Sequence, residues 1–145
     1  MDLQPIIDRL RTRVADLGGR VEDVGALAAL TAAGGVPSAT PVAHVIPGSI
    51  QGGKHHAQTG AYVQSVERQF SVILTLRTQD PAGKRAMPRL AGLIDDIILA
   101  LAGWDIDASV GVVQFRRSAL IGADRGAFSY EIQFTVADQL RIVPS

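Results

Sequence analysis

The sequence predicts an α+β domain with helices packed on one face of a mainly antiparallel sheet. Residues 70–77 and 128–136 alternate apolar with polar side chains, as strands with one buried face do. Residues 84–104 instead place apolar side chains at helical spacing. The predicted order is helix, short strand, short helix, two or three strands, long helix and two strands. This order favours the α+β class.

Length and composition predict one domain, residues 1–145. A chain of this size buries about two thirds of its unfolded surface, so one self-supporting core is expected. The absence of cysteine excludes disulfides and thiolate metal ligands. The 14 basic and 14 acidic side chains cancel, so no overall field attracts nucleic acid or a membrane. The sequence shows no spanning segment or signal peptide, and we expect a soluble protein made in a cytoplasm.

The first part of the chain predicts two helices and two short strands. Residues 3–17 carry apolar side chains at helical spacing and predict the first helix, with Asp2 as its expected N-cap. Residues 20–24 predict a short strand, and residues 25–33, rich in alanine, a short helix. Residues 41–47 form a β-prone run bounded by prolines. Because proline cannot donate to a strand ladder, this run is expected at a sheet edge or a strand end.

The middle of the chain predicts a clear strand, a turn at residues 79–83 and the best helix, which Gly103 is expected to end. In the strand, Ile73 is expected on the outer face, opposite Phe70 and Val72. Along the helix, one apolar stripe is expected; it comprises Met87, Leu90, Ile94, Ile97, Ile98 and Leu101. Leu99 falls on the polar side of this helix. Single exposed apolar residues are common, but Leu99 and Ile73 together favour packing between subunits.

The last third predicts a β-hairpin whose two strands, residues 109–122 and 128–136, are joined by the turn ADRG. Arg116 and Arg117, with Arg125 in the turn, are the main basic group besides the first helix. Neighbours on a strand face opposite sides, so the simplest interpretation exposes one arginine and places the other at the sheet edge. The alternative is phosphate contact, or pairing between subunits with acidic loops such as Asp105 and Asp107.

Residues 48–60, GSIQGGKHHAQTG, partly match a phosphate-binding loop. Gly48, Gly53 and Lys54 fit the pattern G-x-x-x-x-G-K-[ST], but His55 occupies the position of the hydroxyl residue. The residues that follow do not predict the helix N-terminus that such a loop needs. His55 and His56 are adjacent and diverge, so they are poorly placed to share a metal ion. A mobile loop is the favoured interpretation.

Other candidates for chemistry are weak. Asp95 and Asp96 are adjacent on a helix, so their carboxylates diverge rather than form an acid/base pair. Ser118 and Ser129 lack the G-x-S-x-G context of a serine hydrolase. The sequence therefore predicts no catalytic residue, no metal ligand and no cofactor. A non-enzymatic protein is expected.

Three segments carry a family resemblance: PVAHVIPG, residues 62–106, and ALIGADRGAFSYEIQFTVADQLR. They resemble the tail terminator, or minor tail completion, proteins of Mu-like bacteriophages and prophages, a group similar in role to the lambda tail terminator. The similarity covers residues 3–141. Its most specific parts are the strand entry from Gln64 to Phe70, LTLRTQDPAGKRA and LAGW.

This resemblance implies a structural virion protein that forms a hexameric ring on the head-proximal end of the tail tube. The ring would stop tube polymerisation and dock the head–tail connector. Genomic DNA would pass through its lumen without sequence-specific binding. The resemblance implies no cofactor and no contact with a membrane.

In such a ring, residues 48–60 are expected to act as an assembly loop; its candidate residues are Gly48, Gln51, Gly52, Gly53, Lys54, His55, His56 and Gln58. The candidate intersubunit or lumen contacts are Arg116, Arg117, Arg125, Leu99 and Ile73. Two alternatives stay open. One is a head-completion or connector ring protein at the same joint. The other, less favoured, is a small phosphate- or nucleotide-binding protein that uses the segment from Gly48 to Lys54.

Overall fold

The computed structural model describes residues 1–35, 37, 39–58, 60–78, 85–107, 110–124 and 126–143. In chain order the elements are α1 (Gln4–Arg13), a 3-10 turn (Ala15–Leu17), β1 (Val21–Glu22), α2 (Val24–Ala32), β2 (Val42–Gln58), β3 (Ala61–Arg77), α3 (Ala86–Leu101), β4 (Val113–Asp124) and β5 (Ala127–Ile142). The turn expected at residues 79–83 and the side chain of Arg125 lie outside the described residues.

The five strands form one sheet in the order β1-β2-β3-β5-β4. All neighbouring strands are antiparallel except β1 and β2, which are parallel. The predicted α+β class with a mainly antiparallel sheet is confirmed, as is the C-terminal hairpin, β4–β5. The edge strands are β4 on one side and β1 on the other. Because β1 pairs only through Val21 and Glu22, most of the β2 edge that faces away from β3 has no strand beside it in the described part of the chain.

The main core lies between one face of the sheet and the helices α1 and α3. Leu10 of α1, Leu90 of α3 and Phe134 of β5 are fully buried there. The Phe134 ring stacks on that of Phe70, with their centroids 5.2 Å apart. Arg9 joins the two helices, because its Nε donates to the carbonyl of Ala100 at 2.6 Å. Burying these apolar side chains supplies the main driving force for folding.

The apolar stripe of α3 differs from the predicted one at two positions. Met87 is 40% exposed, whereas Leu93, which the prediction omitted, is buried. Leu93 lies three residues after Leu90 and four before Ile97, so all three share one side of the helix. Gly103, at φ 78°, follows the end of α3 in a backbone conformation that favours glycine. The predicted end of the helix is thus confirmed.

The short α2 lies on the opposite face of the sheet. Its Leu27 and Leu30 line a groove of about 570 Å³ together with Ile46 of β2 and Ile73 of β3. The expectation that Ile73 lies on an open outer face is therefore wrong: it is only 7% exposed. Both faces of β3 are buried along this stretch. The alternation of apolar and polar residues in the strand gives no sign that a helix covers its second face.

Local capping fixes where α2 begins. The Asp23 carboxylate precedes the helix and accepts a hydrogen bond from the Ala26 N–H at 2.9 Å. This contact satisfies one of the N–H groups that the first helical turn leaves unpaired. In α1 the expected N-cap, Asp2, accepts from the Gln4 N–H, and Leu3 holds the cap position itself. The two helices therefore start within a residue or two of the predicted positions.

Candidate assembly surfaces

Residues 48–58 form a strand, and the mobile-loop interpretation is wrong for them. They belong to β2 and pair with β3 from Ile50, opposite Arg68, to Gln58, opposite Ala61. The partner strand β3 supplies a ladder of hydrogen bonds that a reading of residues 48–60 alone does not reveal. Two register shifts, after Pro47 and after Gly52, accommodate the glycine-rich segment.

The far ends of β2, β3 and β5 continue past the core as a three-stranded projection. We call it the arm: residues 50–58, 61–66 and 137–142. At about 3.3 Å per residue, its six residues on β3 span about 20 Å. β5 pairs with β3 as far as Ile142, opposite Tyr62, so the arm has a middle strand hydrogen-bonded on both sides. A stable extended structure therefore replaces the expected loop.

Close approach of neighbouring strands explains two of the glycines. A Cβ atom at Gly48 would lie 2.9 Å from the main-chain oxygen of Gln69, too close for any side chain without a backbone shift. At Gly52 a Cβ atom would meet the Gln64 amide at 2.7 Å. That amide donates to the carbonyl of Gly53 at 3.1 Å. These glycines serve strand packing, and a glycine inside a strand commonly marks such an approach.

The outer strand of the arm is exposed and basic about halfway along its length. Lys54, His55 and His56 are all exposed, and no Asp or Glu occurs between Val45 and Val66. Strand register places His55 and His56 on opposite faces, as predicted, and the His55 ring stacks on Tyr62 at 5.8 Å. A phosphate-binding loop needs a turn that opens onto a helix N-terminus. The segment from Gly48 to Lys54 is a strand, so its geometry lends the nucleotide-binding alternative no support.

An ion pair holds the base of the arm. Arg68 of β3 donates from its Nε to the Asp138 Oδ2 of β5 at 2.8 Å, and both side chains are largely buried. Burial raises the pKa of Asp138, but hydrogen bonds from Arg68 and from the Gln139 N–H, with the guanidinium charge, outweigh burial and lower it below its usual value. Asp138 is therefore ionised in the folded protein at neutral pH. A depressed carboxyl pKa stabilises the fold above its unfolded-state pKa.

Replacing Asp138 with Asn is expected to lower the free energy of unfolding at pH 7 by about 1 to 3 kcal/mol, the usual worth of a charged hydrogen bond. The difference from the wild type should shrink as the pH falls through the folded-state pKa of Asp138, because the wild-type carboxylate then becomes protonated. Urea denaturation at pH 7 and pH 3 measures it. An equal difference at both values would contradict the assigned ion pair.

The two arginines of β4 lie on the same face of the sheet. A bulge between Phe115 and Arg117 breaks the alternation, and Arg116 reaches Glu67 of β3 with a 4.0 Å contact between Nη1 and Oε1. Register places Glu67 and Arg117 on one face, opposite the main core. The expectation that the pair divides between two faces is therefore wrong, because a bulge inserts one extra residue into the strand. Both arginines are exposed.

Leu99 is exposed, as predicted. It projects from the outer side of α3 with 79% of its surface accessible, in a shallow depression that Arg13, Asp16 and Asp96 also line. The structure adds Leu120 and Ile121 of β4, about half exposed, which the sequence reasoning missed. Their apolar character was visible, but only the structure shows that Leu120 is exposed on the edge strand and that Ile121 lies at the groove that Leu27 and Leu30 also line.

His44 is a further residue whose burial the sequence did not predict. It lies on β2 between Glu22 of β1 and Ile73 of β3, and it is only 3% exposed. Its Nδ1 has no hydrogen-bond partner among the described residues. Burial lowers the pKa of His44, and the nearby carboxylates of Glu22 and Asp23 oppose that shift only in part. The folded protein therefore favours the neutral imidazole.

Stability is expected to fall on mild acidification because of His44. The unfolded chain takes up a proton near pH 6.5, whereas the folded chain does so only at lower pH. Between these two values each pH unit costs up to about 1.4 kcal/mol. Thermal melts from pH 7.5 to pH 5 should show a smaller loss for His44→Leu than for the wild type. His56→Leu, at an exposed position, is the control and should follow the wild type. Parallel curves for all three proteins would contradict this role of His44.

The described residues contain no group of three His, Cys, Asp or Glu side chains placed to hold a metal ion. Within the same ranges, no helix is long and apolar enough to cross a membrane.

The domain combines an α+β fold with exposed basic and apolar side chains on its strands and on α3. The family model for the phage tail terminator protein matches residues 1–144. The chain therefore belongs to the phage tail terminator family, and the protein is a structural component of the phage tail and of the virion. The resemblance noted from the sequence is confirmed.

A solved structure has the same fold. It is a chain from the virion of a native gene transfer agent particle, with a TM-score of 0.55 and 16% sequence identity. The match covers 93% of this chain and 92% of the other. A search of curated proteins finds no match.

Proposed function

We propose that the protein forms a closed ring, with six subunits expected, on the head-proximal end of the tail tube. There it stops tube polymerisation and presents a docking surface to the head–tail connector. The observation that carries this proposal is the inequality of the two sheet edges: β4 ends the sheet on one side, and β1 with α2 ends it on the other. A contact between two different surfaces is heterologous, and it closes into a ring when the rotation per subunit allows.

The arm supports a contact with the tube. It projects from one end of the sheet, and its β2 strand carries exposed Lys54, His55 and His56. A hydrogen-bonded arm is already ordered before it meets a partner, so binding loses less conformational entropy than with a mobile loop. We assign the arm, which includes Gln51 and Gln58, together with Gly48 just before it, to the interface with the last tube ring or the neighbouring subunit. The end of the sheet away from the arm then remains for the connector.

The other exposed candidates take roles in the same ring. Arg116 and Arg117 contribute to contacts between subunits, and Leu99 adds apolar area on the outer side of α3. Genomic DNA passes through the lumen without sequence-specific contacts. The zero net charge of the chain agrees with this, because strong non-specific binding to DNA needs many unpaired Lys and Arg residues.

Electron microscopy of negatively stained protein tests the ring and its location. Concentrated protein, alone and mixed with purified tail tubes, is expected to give rings of six subunits and caps at one end of each tube. Single subunits in both samples, with both tube ends bare, would contradict the proposal. Co-purification with the portal instead of the tube would identify a head-completion or connector ring protein.

Lys54→Ala tests the nucleotide-binding alternative. We expect neither the wild type nor this variant to give a saturable signal when titrated with ATP and Mg²⁺ in a calorimeter, because the segment from Gly48 to Lys54 is an extended strand and not a turn that opens onto a helix N-terminus. Micromolar binding by the wild type that is lost in Lys54→Ala would contradict the structural assignment.

A further inference from the structure

Helix α2 is apolar on all sides yet exposed. It contains no charged residue, and none of its nine residues, all described, is buried. Leu27 and Leu30 face the groove over the sheet, whereas Val24, Ala28 and Ala32, spaced four residues apart, are exposed. A helix without a polar side is normally covered by protein. The exposed side of α2 therefore calls for a partner.

The edge of the sheet beside α2 exposes two carboxylates. Glu22 and Asp23 precede the helix, and the two nearby cations, Arg11 and Arg20, donate to the main-chain carbonyls of Val21 and Pro41. Glu22 is half exposed and meets a cation, Arg11, only at 3.9 Å. One oxygen of Asp23 caps α2, while the side chain stays accessible to solvent. A partner surface with basic side chains would complement this edge.

The opposite edge of the sheet has the complementary character. β4 exposes Arg116 and Arg117, and no Asp or Glu occurs between Val110 and Ala123. A few residues further along the same strand, Leu120 and Ile121 are exposed. β4 thus presents cations next to apolar side chains. The opposite edge presents the carboxylates of Glu22 and Asp23 next to the apolar helix α2.

These features lie at matching heights on the two edges. Strand register follows one row across the sheet from Glu22 through His44, Ile73 and Glu131 to Ala119. Arg117 lies two residues from this row on β4, and Ile121 two residues from it in the other direction. Two residues of a strand span about 7 Å. A neighbour at the same height would therefore bring the arginines to the carboxylates and the apolar pair to α2.

β4 is better suited to contact a neighbouring subunit through its side chains than to pair with a further strand in a β-ladder. Its pairing is interrupted between Phe115 and Arg117 and again between Leu120 and Gly122. Bulges at an edge strand hinder the addition of another strand. The side chains that these bulges present remain free to pack on a helix.

We infer that β4 of one subunit docks on the β1–α2 edge of a second copy of this chain. Leu120 and Ile121 cover the exposed side of α2, and Arg116 and Arg117 face Glu22 and Asp23. The inference rests on the proposed ring and names the surfaces that join its subunits. Because each copy carries both surfaces at opposite edges, the contact repeats in one direction around the ring.

Charge reversal tests this contact. One variant carries Arg116→Glu and Arg117→Glu; the other carries Glu22→Arg and Asp23→Asn, since asparagine preserves the helix cap. Each variant alone is expected to sediment as single subunits, with the concentration for half-assembly raised at least about tenfold by like-charge contacts. An equimolar mixture of the two variants should recover rings in which the variants alternate, because every contact between different variants pairs opposite charges. The control, Arg85→Glu with Arg89→Glu on exposed positions of α3, should assemble like the wild type.

Disulfide cross-linking tests the same contact if the subunits associate only weakly in solution. The chain has no cysteine, so Ala28→Cys with Ile121→Cys introduces the only thiols. Oxidation should give a ladder of covalent oligomers, whereas the control pair Ala28→Cys with Arg89→Cys should give none. Full assembly of either charge variant alone, no recovery in the mixture, or no ladder would overturn the contact. If tubes are capped but no ladder forms, the contact is overturned and the capping function stands. If a ladder forms but tubes are not capped, the contact stands and the capping function is overturned.

Discussion

A protein with a shortened arm is expected to fold normally and to fail to cap tail tubes. Gly52 and Val66 face each other across β2 and β3, so residues 53–65 can be replaced by an Asn-Gly turn, which favours two-residue hairpins. The deletion removes none of the residues of the main core. Melting temperature should stay close to that of the wild type, while the fraction of capped tube ends in electron micrographs falls to the background level.

The control for the shortened arm is Lys54→Ala with His56→Ala in the full-length arm, which removes charge but keeps the backbone. If the arm works mainly through its shape and strand hydrogen bonds, this control caps tubes at a reduced but measurable level. Full capping by the shortened protein would remove the arm from the tube interface. A large drop in its melting temperature would instead show that the arm supports the core.

The largest loss of stability is expected from Phe134→Ala. The Phe134 side chain is fully buried, stacks on Phe70 and meets the edge of Phe115, with ring centroids 6.0 Å apart. Truncating a buried phenylalanine costs about 3 to 5 kcal/mol, because contacts are lost and a cavity remains. That is a large share of the roughly 5 to 15 kcal/mol that holds a domain folded. Urea denaturation monitored by circular dichroism measures the loss.

Phe115→Ala is the matched comparison for Phe134→Ala. Its ring touches the same aromatic cluster but is 41% exposed, so its removal leaves no enclosed cavity and should cost about 1 kcal/mol. Comparing the two losses of unfolding free energy tests whether the core ends between Phe134 and Phe115. Equal losses would contradict the position of β4 at the edge of the sheet.

Short-range patterns predicted most of the fold. Alternation identified the strand around Phe134, and helical spacing identified α3 and its end at Gly103, because both depend on the residues of one element. The arm was missed because residues 48–58 look like a glycine-rich loop by themselves. Their ladder comes from β3, which lies later in the chain, and a pattern within one segment does not reveal its partner.

Predictions about the candidate surface residues were likewise correct where they depended on one element and wrong where they depended on a neighbouring one. Exposure of Lys54, His56 and Leu99 was predicted correctly, since charge and position on a helix face decide it. Ile73 was misplaced because α2 lies over its face of the sheet. The shared face of Arg116 and Arg117 depends on a bulge, whose position is set by pairing with β5.

The central claim is that this tail terminator protein ends tube growth by capping the tube and then joins the tail to the head. The most direct test measures tail length, and the fraction of tails attached to heads, in phage particles produced without the protein. The claim predicts tails of variable and greater length that lack heads, and a return to uniform, attached tails when the wild-type chain is supplied. Tails of normal length joined to heads in its absence would contradict the claim.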